Sequence, residues 1–322
     1  MMEKINLLEE CRDAKSIVIS GHVRPDGDCI GSCMAMYLYL KKALVDTEIT
    51  VCLEKPADIF NCIKDIEKID SSFSAKTPDV FIALDCESTR LGEAEALFEK
   101  AKKRINIDHH VSNKLGCGDV NYVVQGISST AELVYELIDK SYMDEELAKA
   151  IYIGIIHDTG IFKYSNTSPK TMRIAADLLE YEFDFPAIID ETFYEKTYVQ
   201  NQLLGRALLE SIMFMDGKCI VSAINQKILS FYNAKPEDLD GIINQLRIIK
   251  GVECAIFMYE TGNQEYKVSL RSCNYIDVSK VASYFGGGGH VRAAGCNMSG
   301  TFHDVVNNIS KQIERQMKSL EK

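Results

Sequence analysis

Four stretches far apart in the chain each set acidic or imidazole side chains directly after a β-branched, apolar run. They are Gly21-His22-Val23-Arg24-Pro25-Asp26-Gly27-Asp28, Ala83-Leu84-Asp85, Ile107-Asp108-His109-His110 and Ile156-His157-Asp158-Thr159-Gly160. Residues 16–20, 80–84 and 104–107 read as short, buried, parallel strands. The carboxyl ends of such strands form the crevice where open α/β sheets hold ligands. Residues 151–156 read as a buried helix that ends by delivering Asp158. Acids and imidazoles crowded onto one sheet edge repel one another unless cations neutralise them, so a metal site is the economical reading.

The alternation of strand and helix runs to about residue 182 and predicts a doubly wound, mainly parallel α/β domain over residues 1–188. After the His22 loop, Ile30, Cys33, Met34, Tyr37 and Leu38 recur at the spacing of one helical face. Ser129-Thr130-Ala131-Glu132 is a capping-box pattern that opens a helix. Ser168-Pro169 opens another, with Met172, Ala175, Ala176 and Leu179 inward. Residues 93–103 read as a helix whose basic end, Lys100, Lys102 and Lys103, complements its dipole. Residues 193–215 read as one long helix, within a helical linker over 189–215. Strands near 218–224, 252–259 and 266–271, the run Gly286-Gly287-Gly288-Gly289-His290 and a final helix from about Phe302 then make a smaller α+β domain over 216–322.

A chain of 322 residues, 46% of them hydrophobic, has enough apolar material for two cores. Its net charge of −11 excludes a general attraction to nucleic acid or anionic membranes, so an anionic substrate must be held by local devices. Eleven cysteines without a C-x-x-C pair fit a reducing, intracellular setting, and the expected location is the cytoplasm. No apolar run is long enough to span a membrane, and the first residues lack the apolar stretch of a signal peptide.

Carboxylates with imidazoles and no thiolate suit a borderline-hard divalent ion such as Mn²⁺ better than a structural zinc. Four carboxylates match two divalent cations in formal charge. Two ions about 3.5–4 Å apart that share one acid activate a water and steady the attacking and leaving oxygens of phosphoryl transfer. That pairing predicts hydrolysis. The glycines of 286–289 expose backbone N–H groups to an anion, and His290 adds a donor beside them, although a glycine run before a helix also makes a plain hinge. Arg90, in Ser88-Thr89-Arg90-Leu91-Gly92, is a weaker candidate for substrate contact. His157 stays outside the catalytic set.

Residues 21–32, Leu84-Asp85-Cys86-Glu87-Ser88, residues 107–113, Asp158-Thr159-Gly160 and residues 286–295 together resemble the DHH phosphoesterase family. The resemblance is closest to its nanoRNase/pAp phosphatase branch, in which a catalytic domain precedes a DHH-associated domain. It implies two Mn²⁺ ions per chain, one held by His22, Asp26 and Asp85, the other by Asp28, Asp85, His109 and Asp158, with Asp85 bridging. It implies His110 as general acid or leaving-group stabiliser, and Asp108 as the carboxylate that orients an imidazole. Gly288, Gly289, His290 and Arg271, in Ser269-Leu270-Arg271-Ser272, are implied to grip a nucleotide phosphate across an interdomain cleft, with Ser272 beside them. The implied activity is hydrolysis of short oligoribonucleotides (nanoRNA) to mononucleotides and removal of the 3′-phosphate from pAp, by a homodimer. The partner is a short single-stranded RNA or nucleotide; duplex nucleic acid is not expected, for want of a long basic groove, nor is a membrane. The runner-up is a c-di-AMP or pApA phosphodiesterase. An inorganic pyrophosphatase fits less well, because the glycine-histidine loop belongs to the nucleotide-acting branch. From other classes come a catalytically idle nucleotide sensor, against which all six proposed ligands count, and a purely structural metal protein.

Overall fold

Strands β1 (Ser16–Ser20), β2 (Glu48–Cys52), β3 (Val80–Leu84), β4 (Lys103–Asp108) and β5 (Val120–Val123) form an all-parallel sheet in the order β2-β1-β3-β4-β5. The computed structural model describes residues 4–320. Helices α1 (Leu7–Cys11), α2 (Gly27–Ala43), α3 (Glu95–Lys100), α4 (Thr130–Leu137), α5 (Glu145–Thr159), α6 (Pro169–Leu179) and α7 (Phe185–Ile189) accompany this sheet. From β1 the chain steps to β2 on one side and then to β3 on the other. Such a reversal leaves a crevice beyond the carboxyl ends of the strands. The His22 loop, Asp85 and Asp108-His109-His110 lie at the ends of β1, β3 and β4.

The β-branched runs are buried because both faces of the sheet are covered. Ile17, Ile19, Ile82, Leu84, Ile105 and Ile107 join a core with α2, α4 and α5, and Val18, Phe81 and Ala83 meet Leu91 and Phe98 on the other side. Helix α2 is buried all round from Gly27 to Leu40, so it is a core helix and not the one-faced helix its periodicity suggests. Its passage along α5 needs glycine: a Cβ on Gly31 would stand 2.7 Å from both the Ala150 carbonyl oxygen and the Gly154 nitrogen.

Three local expectations change. Helix α3 stops at Lys100, and Lys103 already belongs to β4; Lys102 pairs with Asp79 at 2.6 Å and Lys103 with Glu10 at 2.5 Å, so only Lys100 serves the end of α3. Helix α6 buries Thr171, Ile174, Ala175 and Leu178, leaving Met172 and Ala176 exposed. The face is turned because the Thr171 hydroxyl donates to the buried Glu132 carboxylate at 2.8 Å. Residues 193–215 are not one helix. A π-helical turn over Asp190–Tyr194 ends extended at Glu195, and α8 (Tyr198–Leu209) restarts behind a Thr197/Gln200 capping box, followed by strand β6 (Ile212–Phe214).

The chain divides into one unit ending at Glu195 and a second beginning at Lys196. The expected linker over 189–215 is therefore largely part of the second unit, where Leu203 and Ala207 of α8 pack with Ile220, Leu246 and Phe257. This unit continues with β7 (Cys219–Ile224), α9 (Gln226–Tyr232), α10 (Ile242–Arg247), β8 (Cys254–Gly262), β9 (Glu265–Ser272), α11 (Val278–Tyr284), β10 (Gly288–His290), β11 (Ala293–Ser299) and α12 (Phe302–Leu320). Its mixed sheet has the order β10-β11-β9-β8-β7-β6, with α11 and α12 packed on one face and α8 and α10 on the other. The glycine run thus precedes no helix; it follows α11 and becomes the edge strand β10. No helix among the described residues is long and apolar enough to cross a membrane.

Replacing Gly31 by alanine is expected to destabilise the first unit by about 1–3 kcal/mol, the usual cost of overpacking. A urea melt reads it as a lower midpoint with an unchanged slope; an unshifted midpoint contradicts the close α2–α5 contact.

Candidate metal centre

The His22 loop leaves β1 with its imidazole buried. Nδ1–H donates to the Val23 carbonyl at 2.9 Å, which leaves Nε2 free as a ligand atom. Nε2 stands 3.4 Å from Asp85 Oδ2 and 3.6 Å from Asp26 Oδ1. His109 repeats the arrangement, its Nδ1–H donating to the Ile127 carbonyl at 3.3 Å. Its Nε2 lies 3.5 Å from Asp85 Oδ1, 3.7 Å from Asp158 Oδ2 and 3.8 Å from Asp28 Oδ2. Asp85 therefore turns one oxygen to each imidazole. These separations exceed a hydrogen bond of about 2.7–3.2 Å. They match the spacing of two ligands that each sit about 2.0–2.2 Å from a shared ion. The residues present fit a pair of divalent cations.

Each carboxylate is fixed by groups around it. Asp85 has a left-handed backbone, φ 63°, of the kind that persists where the surrounding structure enforces it. Its N–H continues the sheet by donating to the Ile107 carbonyl at 3.0 Å, and its Oδ1 accepts from the Thr130 hydroxyl at 2.9 Å. Asp28 accepts from the N–H groups of Thr130 at 2.7 Å and Ala131 at 2.9 Å, at the positive end of α4. Asp26 caps α2, accepting from the N–H groups of Asp28 and Cys29 at 3.1 Å each. Asn166 donates to the Asp158 carboxylate at 3.2 Å. Sequence reasoning missed Thr130, Ala131 and Asn166 as site residues. The capping box foretold the start of α4, but nothing in its pattern says that its free N–H groups hold a carboxylate from another element.

Beside this cluster, Asp108 Oδ1 accepts from His110 Nδ1–H at 2.8 Å and Asp108 Oδ2 from Asn113 at 2.7 Å. Asn113 is a second omission of the sequence reading. Burial favours the neutral acid, but His110 and Asn113 outweigh it and hold the Asp108 carboxyl below its ordinary range. The same hydrogen bond, stronger than the opposing burial, raises His110 and leaves its Nε2 for a reacting group. The exposed Arg90, on a 3-10 turn over Ser88–Arg90, is close enough for its charge to oppose the His110 imidazolium. His157 packs between Phe60 and Phe193, with ring centroids 5.0 and 4.3 Å away, and burial pushes it down to about 4. It is a neutral packing residue.

In the second unit, Lys267, Ser269 and Arg271 alternate along β9 on the more open face of the sheet. His290, Ala293 and Arg271 stand at one register level across β10, β11 and β9. Gly289 must be glycine, since a Cβ would meet the Ala293 carbonyl at 2.5 Å. A cavity of about 480 Å³ on the β9 face is lined by Lys267, Ser269, Arg271, Phe257 and Tyr259 among others. Arg247 lies near enough to act on Arg271, and among the described residues neither forms an ion pair with a carboxylate. Ser272 leaves the candidate set. Its hydroxyl is buried and donates to the Ile276 carbonyl at 2.6 Å, which spends it on holding the strand end.

Residues 16–155 match the DHH family, N-terminal domain, and residues 216–319 match the DHHA1 domain. The chain belongs to the DHH family. It is 32% identical, over 92% of its length and 89% of the relative's, to a protein of Thermus thermophilus named bifunctional oligoribonuclease and PAP phosphatase NrnA. A protein of the same name from Mycoplasma genitalium is 28% identical over 97% of both chains. Among solved structures, an exopolyphosphatase-related protein from Bacteroides fragilis superposes with a TM-score of 0.83 at 27% identity, covering 98% of this chain and 96% of that one. Exonuclease RecJ bound to manganese shares the fold, with a TM-score of 0.56 at 15% identity over 98% of this chain and 96% of its own.

The electrostatics of this DHH centre are those of a site built around positive charge. Burial, then the nearby Asp85 and Asp158 carboxylates, drives Asp28 well above the ordinary carboxylate range. Burial also raises Asp158, against the opposing pull of His109, and Asp85 and Asp26 add to the rise. Burial disfavours a charged His22, yet Asp26 and Asp85 overcome it and push the imidazole up to about 11. Protons thus occupy the centre where cations are not bound. A ligating His22 must lose its proton, which it still holds at pH 7, so Mn²⁺ uptake is expected to release at least one proton and to tighten about tenfold per pH unit for each one released. Calorimetric titrations in buffers of different ionisation enthalpy measure this directly; a buffer-independent heat contradicts it.

Proposed function

We propose that this chain is a Mn²⁺-dependent phosphoesterase that hydrolyses short oligoribonucleotides to mononucleotides and removes the 3′-phosphate from pAp. The observation that carries the proposal is the Asp85 carboxylate, with one oxygen 3.4 Å from His22 Nε2 and the other 3.5 Å from His109 Nε2. A shared acid between two imidazole-carboxylate groups is the arrangement for in-line attack on phosphorus. The substrate choice is supported by relatives named bifunctional oligoribonuclease and PAP phosphatase from three organisms, 24% to 32% identical to this chain.

His22, Asp26 and Asp85 would hold one Mn²⁺, and Asp28, Asp85, His109 and Asp158 would hold the other. When bound, the pair supplies Lewis acidity, lowering the pKa of a water and offsetting charge on the phosphoryl oxygens. Thr130 and the amino end of α4 keep Asp28 and Asp85 aimed at the ions. Asp108 holds His110 protonated through Nδ1, so that Nε2–H gives its proton to the departing oxygen. Arg90 favours that transfer, because its charge opposes the imidazolium, and it offers a contact to the substrate phosphate. In the second unit, Arg271, His290 and the backbone of Gly288 and Gly289 are the groups we assign to a substrate phosphate. The free cysteines fit a reducing cytoplasm, where we place the enzyme as a homodimer whose mass sedimentation tests.

With Mn²⁺ present, short RNA and pAp are expected to be hydrolysed at initial rates well above c-di-AMP. Faster turnover of c-di-AMP or pApA favours the cyclic-dinucleotide alternative, and inertness toward all of them in a metal-loaded protein favours a nucleotide sensor. Asp85→Asn is expected to cut the rate by about 10³-fold, ~4 kcal/mol of barrier. His110→Ala is expected to lower kcat by about 10²–10⁴-fold with Mn²⁺ binding retained. Unchanged rates in both variants contradict the assignment.

A further inference from the structure

Behind His22 lies a thiol that the manganese reading leaves unused. Cys29, in the first turn of α2, is fully buried, and its sulfur packs so tightly on the Gly21 backbone that a Cβ there would collide with it. Ligand atoms of His22, Cys29 and Asp85 all lie within 4.8 Å of one another. His22 Nε2 and Asp85 Oδ2 are already 3.4 Å apart. Two ligands about 2.0 Å from a tetrahedral ion are separated by ~3.3 Å, so drawing the sulfur in from within 4.8 Å completes a three-donor set with one open position. Nitrogen, oxygen and sulfur donors with a vacancy suit a tetrahedral, thiophilic ion better than a six-coordinate hard one. Asp26, which faces the same imidazole, has the opposite character. Its side chain is 65% exposed and already accepts two backbone N–H groups, so its release to water strands no buried charge.

We propose that the His22 cation position has two alternative donor sets. His22 and Asp85 are common to both; Asp26 completes the set for Mn²⁺, and Cys29 completes it for a thiophilic divalent ion such as Zn²⁺ or Co²⁺. The proposal rests on the metal-centre reading for His22 and Asp85 and adds Cys29 to it. Affinity for nitrogen and sulfur donors rises from Mn²⁺ toward Co²⁺ and Zn²⁺, so only the later ions gain from exchanging an exposed carboxylate for a buried thiolate. As the metal–sulfur bond forms, the S–H bond breaks, its proton passes to the buffer and its electron pair stays on sulfur; nothing is oxidised or reduced. Zinc then competes with manganese for one position and holds it in a geometry set by the sulfur.

Cobalt titration of the metal-free, full-length protein tests this by absorption. The wild type is expected to develop a near-ultraviolet sulfur-to-cobalt charge-transfer band together with visible d–d bands. Cys29→Ser and Cys29→Ala are each expected to lose the charge-transfer band and keep the d–d bands, whereas Cys33→Ser and Cys86→Ser keep both. Zinc affinity of Cys29→Ala is expected to fall by at least about tenfold, the scale on which even indirect ligand partners matter. Zinc-edge X-ray absorption of the wild type, which needs no variant, is expected to show one sulfur at about 2.3 Å. Cobalt binding without a sulfur band, a band retained in both Cys29 variants, or a zinc shell of nitrogen and oxygen alone overturns the proposal and leaves the metal centre standing. Failure to bind cobalt at all overturns the metal centre as well.

Discussion

Crowded carboxylates at one sheet edge are the constraint to which the first unit answers. Asp26, Asp28, Asp85 and Asp158 approach two imidazoles at separations of 3.4 to 3.8 Å, too long for hydrogen bonds and too short for indifference. Such a cluster is tolerable only if something positive lies within it, and without a cation the crowding drives His22 and Asp28 toward their protonated forms. The fold pays for the arrangement locally, with a left-handed Asp85 and an α4 amino end turned onto a carboxylate. The switch between β1 and β3 makes the crowding possible, because it brings ends of adjacent strands together without a loop passing between them.

The second unit meets the opposite problem. A chain with a net charge of −11 has no general positive field, so an anion on this unit has to be met by local groups. The sheet instead offers Lys267 and Arg271 on one face of β9, a small-residue strip along β10 and β11, and Arg247 near Arg271, and among the described residues neither arginine forms an ion pair with a carboxylate. Guanidinium groups left unpaired in this way favour a phosphate brought by a ligand over a permanent internal partner.

Much of this was legible from residues alone. Strands buried on both faces declare themselves as uninterrupted apolar runs, so β1, β3 and β4 stood out with the ligand residues at their ends. What stayed hidden was carried by groups common to every residue or by breaks that periodicity does not register. The Thr130 and Ala131 N–H groups that hold Asp28 have no side-chain signature. Residues 193–215 keep a helical spacing of apolar positions, but Thr197 with Gln200 caps a new helix, and the chain obeys the cap. Ser272 sits in a functional-looking string, yet its hydroxyl is spent on the Ile276 carbonyl. The glycine run read as anion-facing backbone or as a hinge before a helix, whereas it forms an edge strand in which Gly289 lies against Ala293.

The shared carboxylate is the claim on which mechanism and substrate both depend, and diffraction at the manganese absorption edge addresses it most directly. Crystals grown with Mn²⁺ are predicted to give two anomalous peaks about 3.5–4 Å apart, one on the His22 side and one on the His109 side, each within bonding distance of a different Asp85 oxygen. A single peak, or a pair that leaves Asp85 outside both coordination shells, contradicts the account.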